Sequence, residues 1–368
     1  MIIGVPKEIK NKENRVGMVV AGVKTLTQAG HKVLVQHSAG AAVGISDEDY
    51  RRAGAVVCES GKEIYEKADM IVKVKEPLPE EYPLLKEGQI LYTYLHLAAD
   101  ERLTKGLMEQ KIVALAYETI QAPDGSLPLL APMSAVAGRM AAQVGATYLQ
   151  HDHGGKGMIL GGVTGVERGN VVIIGAGVVG INAAKIAVGL GAKVTILDVN
   201  LHRLEYIADV FGNEVTTLHS NAEQIDKVMT RADLVIGAVL VPGAKAPKVV
   251  SREMISRMQP GGVIVDVAVD QGGIAETTRP TSHEHPTYTI DGVIHYAVPN
   301  MPGAVPRTST YALTNVTLKY ALMVANLGWK EAAARDPSFR KGVNIVNGKL
   351  TYQRVAEDLG LAYEPLAL

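Results

Sequence analysis

The chain has 368 residues, 47% apolar and 20% charged, the makeup of a globular protein large enough for two domains. Lys plus Arg number 37 against 38 Asp plus Glu, so there is no electrostatic case for binding nucleic acid or an anionic membrane. The single cysteine, Cys58, excludes an intrachain disulfide framework and a Cys-based zinc site, and fits a reducing compartment.

In chain order, β-branched runs predict strands at IIGV (2–5), KVLVQ (32–36), DMIVKVK (69–75), QILYTYLHL (89–97) and KIVALA (111–116). Helical periodicity falls between them, near 18–30, 47–54, 60–68, 79–87 and 100–110. Strands alternating with helices imply parallel sheets covered on both faces. The rhythm pauses at the turn-rich stretch from Gln121 to Pro128. A helix near 132–150 follows, then a glycine-rich loop from 151 to 170 to which no function attaches. Alternation resumes with strands VVII (171–174), KVTIL (193–197), EVTTL (214–218), DLVIG (233–237) and GVIVDVAV (262–269). Helices are expected near 178–190, 200–210, 221–231 and 251–258. The Pro- and Gly-rich run from Val298 to Pro306 closes this second unit. A long helix near 307–328 comes next, then a small strand and helix.

The opening MIIGVPKEIKNKENR lacks the basic-then-apolar pattern of a signal peptide. The longest uncharged stretches, near 171–184 and 292–306, are shorter than the roughly 18 apolar residues of a membrane helix and are broken by Gly or Pro. No membrane association is expected. The last stretch, about 60 residues, is too small for a core of its own and is expected to pack on the first unit.

Residues 171–184, VVIIGAGVVGINAA, place Gly175-x-Gly177-x-x-Gly180 directly after a strand and at the start of a helix. Gly175 allows the tight turn, Gly177 lets backbone approach a pyrophosphate, and Gly180 permits close helix–strand packing. Helix N-terminal amides then face the phosphates. Asp198 ends the next strand, where a carboxylate accepts hydrogen bonds from the adenosine ribose. It would repel a 2′-phosphate, so NAD is favoured over NADP. Nearby Arg203 is read as an adenosine contact or a solvated charge. Gly154-Gly-Lys-Gly157 does not complete a P-loop.

In open α/β sheets ligands bind beyond the carboxyl ends of the strands. Four polar residues are expected there: Arg15 in the loop after the first strand, Lys75, His96 and Asp270 at strand ends. Each alone has an ordinary structural reading as a solvated charge, a core imidazole or a turn former. Together they suit hydride transfer at a carbon bearing a carboxylate and an amine or carbonyl. Arg15 can hold a carboxylate, Lys75 can orient it or polarise a carbonyl, and His96 and Asp270 can move protons. His151-Asp-His153 and His283-Glu-His285 lack an obvious third ligand, so no metal is expected. No GxSxG elbow supports a hydrolase.

From end to end the chain resembles the alanine dehydrogenase family. MIIGVPKEIKNKENRVG, VKVKEP, YTYLHLA, AYETI, LPLLAPMSAVAGRMA, VVIIGAGVVG and VPNMPGAVPRTST look like its motifs in their expected order. The resemblance implies oxidative deamination of L-alanine to pyruvate and ammonia with NAD, and the reverse amination. It implies Arg15 and Lys75 as substrate-binding residues and His96 and Asp270 as the acid–base pair. Cofactor contacts carried over are Ser134, Asp198, Arg203, Ser220, Val239, Leu240 and Arg279, the segment Val267, Ala268, Val269 and Asp270, and the loop Val298, Pro299, Asn300 and Met301. Where some members carry a magnesium-binding Glu and His in the long C-terminal helix, this chain has Met323 and Leu327, neither of them a useful magnesium ligand. A cytoplasmic homohexamer is also implied.

The expected fold is α/β, with two doubly wound Rossmann-like domains of mainly parallel sheets. Residues 1–128 and 307–368 are expected to form a discontinuous substrate domain, and 129–306 the NAD-binding Rossmann domain. The rival readings are the nicotinamide-binding component of a proton-translocating transhydrogenase, a saccharopine-type amino-acid dehydrogenase, and a non-catalytic NAD-binding regulator. The first needs a membrane partner, and the last leaves four strand-end polar residues without a purpose.

Overall fold

The computed structural model describes residues 1–239 and 246–368; Leu240, one of the expected cofactor contacts, lies outside them. The described residues contain strands β1 (Ile2–Val5), β2 (Lys32–Gln36), β3 (Val56–Cys58), β4 (Met70–Val72), β5 (Ile90–Thr93), β6 (Val113–Ala116), β7 (Asn170–Ile174), β8 (Lys193–Asp198), β9 (Val215–His219), β10 (Leu234–Gly237), β11 (Val263–Asp266), β12 (Thr287–Ile290), β13 (Val293–Tyr296), β14 (Val343–Val346) and β15 (Lys349–Leu350). They divide into two compact units, Met1–Met133 with Val305–Leu368, and Ser134–Ala304.

The first unit is built on a sheet of order β15-β14-β6-β5-β4-β1-β2-β3. From β3 to β6 every pairing is parallel. Parallel strands are covered on both faces, which explains why Ile3, Leu34, Ile71, Leu91 and Ala114 are all buried. The chain steps from β1 to β2 and β3 in one direction and from β4 to β5 and β6 in the other. The loops after β1 and β4 therefore diverge and leave a crevice at their carboxyl ends. Helix starts are fixed by side-chain caps: Ser46 with Asp49 forms a capping box, and Ser60 and Asp100 cap the helices that follow them. Each cap is worth about 1 kcal/mol.

The second unit repeats the plan in the order β12-β13-β11-β10-β7-β8-β9, with the reversal between β7 and β10. Its core gathers Ile174, Leu197, Val235, Ile255 and Ile264. Both sheets carry an antiparallel edge that the alternation did not anticipate, β12–β13 and β14–β15. The signal was present. Asp291-Gly292 and Asn347-Gly348 separate β-branched runs, and all four residues have the positive φ that a two-residue hairpin turn demands.

Three strands are shorter than the apolar runs predict. DMIVKVK pairs only over Met70–Val72, QILYTYLHL over Ile90–Thr93, and GVIVDVAV over Val263–Asp266, after which Val267–Gln271 forms a 3-10 turn. The cause is the same in each case, a carboxylate that takes amides beyond the strand end. Glu8 accepts from Val74, Glu118 from Leu95 and His96, and Asp266 from Ala268. The helix expected near 79–87 is only a 3-10 turn, Tyr82–Leu84. Pro77, Pro79 and Pro83 remove amide donors and push their predecessors out of helical geometry.

The glycine-rich stretch from 151 to 170 has a backbone explanation. A Cβ on Gly155 would stand 2.2 Å from the Tyr148 carbonyl oxygen, and one on Gly161 would stand 2.6 Å from that of Leu190. Such approaches are open only to glycine.

Candidate active site

In the first unit, four chain segments bring polar residues to the carboxyl ends of β1, β4, β5 and β6. The loop after β1 carries Glu8, Lys10, Glu13 and Arg15. Arg15 and Glu13 are almost fully buried and form a forked pair, Nε to Oε1 at 2.7 Å and Nη2 to Oε2 at 2.6 Å. Arg15 Nη1 also meets the Met133 sulfur at 3.1 Å. Burial works to raise the Glu13 pKa, but hydrogen bonds and charge from Arg15 outweigh it and hold the carboxyl below its ordinary value. The guanidinium is thus fixed in direction by a neighbour two residues away.

Lys75 follows β4. Its backbone is tied on both sides: Glu8 Oε1 accepts from Val74 N at 2.6 Å, and Thr93 Oγ1 donates to the Lys75 carbonyl at 3.0 Å. Behind it Lys73 is fully buried between Glu81 (2.7 Å) and Glu8 (3.3 Å). Burial pushes the Lys75 ammonium below its usual pKa. Glu76 opposes this, and the positive charges of Arg15 and Lys10 add to it. Lys10 itself pairs with Glu76.

His96 lies three residues past the end of β5, its ring exposed and stacked on Tyr94 at 5.8 Å with planes 5° apart. Its backbone is left-handed, φ 51° and ψ 40°, a conformation uncommon outside glycine. Tyr94 is anchored by its hydroxyl on the Leu129 carbonyl (2.5 Å) and by edge contact with Tyr117. Arg15, Lys75 and His96 therefore share one edge of one sheet.

In the second unit most of the expected cofactor residues among those described follow the carboxyl ends of β7, β8, β9, β10, β11 and β13. Gly175 has φ 110°, and a Cβ there would meet the Ala238 carbonyl carbon at 2.7 Å. A Cβ on Gly180 would sit 1.8 Å from the Gly175 oxygen. Gly177 differs: among the described residues nothing lies within 4 Å of its missing Cβ, so none of their packing requires glycine there. The open space sits at the N-terminus of the Val178–Gly189 helix, where an anionic phosphate is favoured, and a dinucleotide fits it.

Asp198 ends β8 half-buried. Its Oδ2 accepts from Ala176 N at 2.6 Å and its Oδ1 from Asn200 N at 2.8 Å. The same carboxylate thus braces the glycine turn, with lone pairs remaining for a ribose. Ser220 hydrogen-bonds through its amide to the Asp198 carbonyl (2.9 Å), and Arg203 is exposed in the first turn of the next helix. Val239 lies two residues past the end of β10, and Ser134 lies in the first turn of the Ala131–Tyr148 helix.

Asp270 is exposed on the Val267–Gln271 turn, not on a strand. Asp266 holds that turn from beneath, accepting from Ala268 N (3.1 Å), Ile274 N (2.8 Å) and Thr278 Oγ1 (2.5 Å). Burial raises its pKa, and these hydrogen bonds work against the rise. Arg279 lies over the Tyr288 ring at 4.1 Å. Val298, Pro299, Asn300 and Met301 follow β13, with Asn300 at φ 54°.

Sequence reasoning did not single out Glu8, Glu13, Glu118 or Asp266, the carboxylates that brace these strand ends. Their only signal was position: Glu8 and Glu13 precede Arg15 in one loop, and Glu118 sits inside AYETI. Among the described residues no group of three or more His, Cys, Asp or Glu is placed to hold a metal ion. No described helix is long and apolar enough to cross a membrane.

Comparison with known proteins agrees across the whole chain. Residues 4–137 match the family described as alanine dehydrogenase/PNT, N-terminal domain, and residues 141–353 match its C-terminal domain. The chain is 60% identical over 366 residues to an alanine dehydrogenase of Methanococcus maripaludis, covering 99% of this chain and 98% of that one. It is 56% identical over 366 residues to an alanine dehydrogenase of Bacillus subtilis, covering 99% and 96%. A solved L-alanine dehydrogenase structure superposes with a TM-score of 0.95 at 52% identity, covering 98% and 99%. A transhydrogenase from Sinorhizobium meliloti reaches 0.84 at 23% identity over 95% and 100% of the two chains, which speaks to fold alone.

Proposed function

The chain belongs to the alanine dehydrogenase family, oxidoreductases acting on a CH–NH2 group, and from that membership we propose that it interconverts L-alanine and pyruvate plus ammonia with NAD as its cofactor. The observation that carries the reading is the convergence of Arg15, Lys75 and His96 on one sheet edge, each braced by a carboxylate or a hydroxyl from a neighbouring segment. The choice of NAD rests on Asp198, whose negative charge at the end of β8 disfavours a 2′-phosphate.

Arg15 and Lys75 hold the substrate carboxylate, the first through a guanidinium fixed by Glu13, the second as a point charge. When bound, the nicotinamide supplies the hydride acceptor for alanine Cα. His96 and Asp270 then handle the protons: one is removed from the water that adds to the imino acid, and one is delivered to the departing ammonia. Gly175, Gly177 and Gly180 admit the pyrophosphate, and Ser134, Ser220, Val239, Arg279 and the Val298–Met301 loop complete the dinucleotide site. Positioning of this kind can supply about 7–11 kcal/mol of the barrier.

The test is direct. The purified chain is given NAD+ or NADP+ with a panel of L-amino acids at alkaline pH, and reduced cofactor is followed by its absorbance. L-Alanine with NAD+ should stand clear of all other pairs, and pyruvate with ammonium should run the reverse. Equal rates with NADP+ would sink the role given to Asp198. Silence with every amino acid would sink the substrate. The family reading also carries a cytoplasmic homohexamer, and light scattering on the purified chain checks the assembly.

A further inference from the structure

We propose that Glu118 is the positioning residue of the acid–base step, holding His96 in its left-handed conformation by gripping the backbone amides of Leu95 and His96. The inference rests on the dehydrogenase reading of His96.

The geometry begins with strand register. β5 and β6 are parallel neighbours, with Thr93 opposite Ala116. Glu118 stands two residues past Ala116, and Leu95 and His96 two and three past Thr93, so the two chain exits lie side by side. There β5 stops pairing and its amides need acceptors. Glu118 provides them. Its Oε1 accepts from His96 N at 2.5 Å and from Leu95 N at 3.2 Å, and its Oε2 accepts from Leu95 N at 3.2 Å. Among the described residues Glu118 makes no ion pair, so its charge is spent on two peptide groups.

The left-handed turn is what this grip secures. A histidine at φ 51° persists only where its surroundings over-determine it, and such strain gathers where a side chain must be aimed. Continued extended backbone would carry residue 96 onward along the strand, on the same face as Tyr94 and two residues, about 7 Å, further on. With the left-handed turn the ring lies parallel to that of Tyr94, centroids 5.8 Å apart. Tyr94 is itself immobilised on Leu129 and Tyr117. One face of the imidazole is therefore set by packing and its backbone by Glu118.

The experiment compares the full chain with Glu118→Ala and Glu118→Gln. Binding of NADH, read by its fluorescence, confirms that each variant is folded. Glu118→Ala should lose at least about tenfold in kcat, part of the 10²–10⁴ a general acid–base group supplies, with KM for NADH held within about twofold. Glu118→Gln keeps one acceptor oxygen but sets an amide NH2 against Leu95 N, so its kcat should fall between Ala and the parent. That order of recovery, with NADH affinity unmoved, is what a merely structural role does not give. Parental kcat in either variant overturns the proposal, and Glu118→Gln decides it alone if Glu118→Ala does not fold. A parent chain without L-alanine turnover overturns the dehydrogenase reading instead, before any variant is made.

Discussion

At the residue scale, charge buried with its partner dominates the first unit. Glu13 has a folded pKa below its ordinary value of 4.5, so its ionised pair with Arg15 stabilises the fold above that value. The contribution is lost as pH falls through the folded pKa. Glu13→Ala removes the forked carboxylate from a buried guanidinium, a change that costs about 3–5 kcal/mol. Urea denaturation should show that loss, and a variant as stable as the parent would mean Arg15 is solvated. Lys75 carries the opposite sign. Burial lowers its pKa from 10.5, so the ammonium proposed to meet the substrate carboxylate is lost at a lower pH than for a solvated lysine. Inhibition by propionate, an alanine analogue without an amine, should weaken with rising pH before 10.5 is reached, while Lys75→Ala should weaken it at every pH. The same variant should lose at least about a hundredfold in turnover and still bind NADH. Near-normal rate would remove Lys75 from the site. Lys75 and Arg15 could be picked out as candidates in the sequence because a cation after a strand, or in the loop that follows one, is recognisable by type and place. Glu13 was not, because one carboxylate in a charged loop looks like any other until burial singles it out.

At the element scale, the β7 turn separates two reasons for glycine. Gly180→Ala would drive a methyl to 1.8 Å from the Gly175 oxygen, a clash with backbone that must move the helix. Gly177→Ala meets nothing within 4 Å among the described residues, so thermal stability should stay within about 1 kcal/mol of the parent. NADH binding should nevertheless collapse, because the methyl fills the phosphate's space. Calorimetry on that one variant checks both halves, and unchanged affinity would place the pyrophosphate elsewhere. The β12–β13 edge carries a second prediction. His295 is buried on β13, its Nδ1 on the Val293 carbonyl (3.0 Å) and its Nε2 against Thr277 Oγ1 (2.8 Å), with Tyr288 stacked on the ring. Burial lowers its pKa from 6.5; Arg279 adds to this, and the Val293 hydrogen bond and Asp291 oppose it. A depressed histidine favours the folded state above 6.5 and destabilises it as pH falls towards the folded pKa. His295→Gln cannot titrate, so its melting temperature should vary less with pH below 6.5 than the parent's. Equal slopes would show that His295 is protonated without penalty.

At the scale of the whole molecule, each unit places its candidate site residues by the same rule. Strand order reverses once in each sheet, between β1 and β4 and between β7 and β10, and polar side chains collect at the carboxyl ends on both sides of the reversal. Ligand effects should follow that division. NADH should slow amide hydrogen exchange around 175–177, 198–200 and 267–271, within the second unit. Protection confined to 70–96 would invert the assignment of the units.

Composition and periodicity were enough for the alternating α/β plan, because buried parallel strands need continuous apolar runs and amphipathic helices to cover them. Local chemistry was enough for the glycine turn and Asp198, since the demands of a pyrophosphate fall within one strand–turn–helix. Tertiary structure alone decided where the strands stop. Glu8, Glu118 and Asp266 each capture amides just past a strand end, and for Glu8 and Glu118 those amides are 66 and 22 residues away in the chain. A hydrogen bond across such separation leaves no periodic trace in sequence. Such bonds lie just past the ends of β4 and β5, beside Lys75 and His96, while at β11 Asp266 caps its own turn two residues on, beneath Asp270.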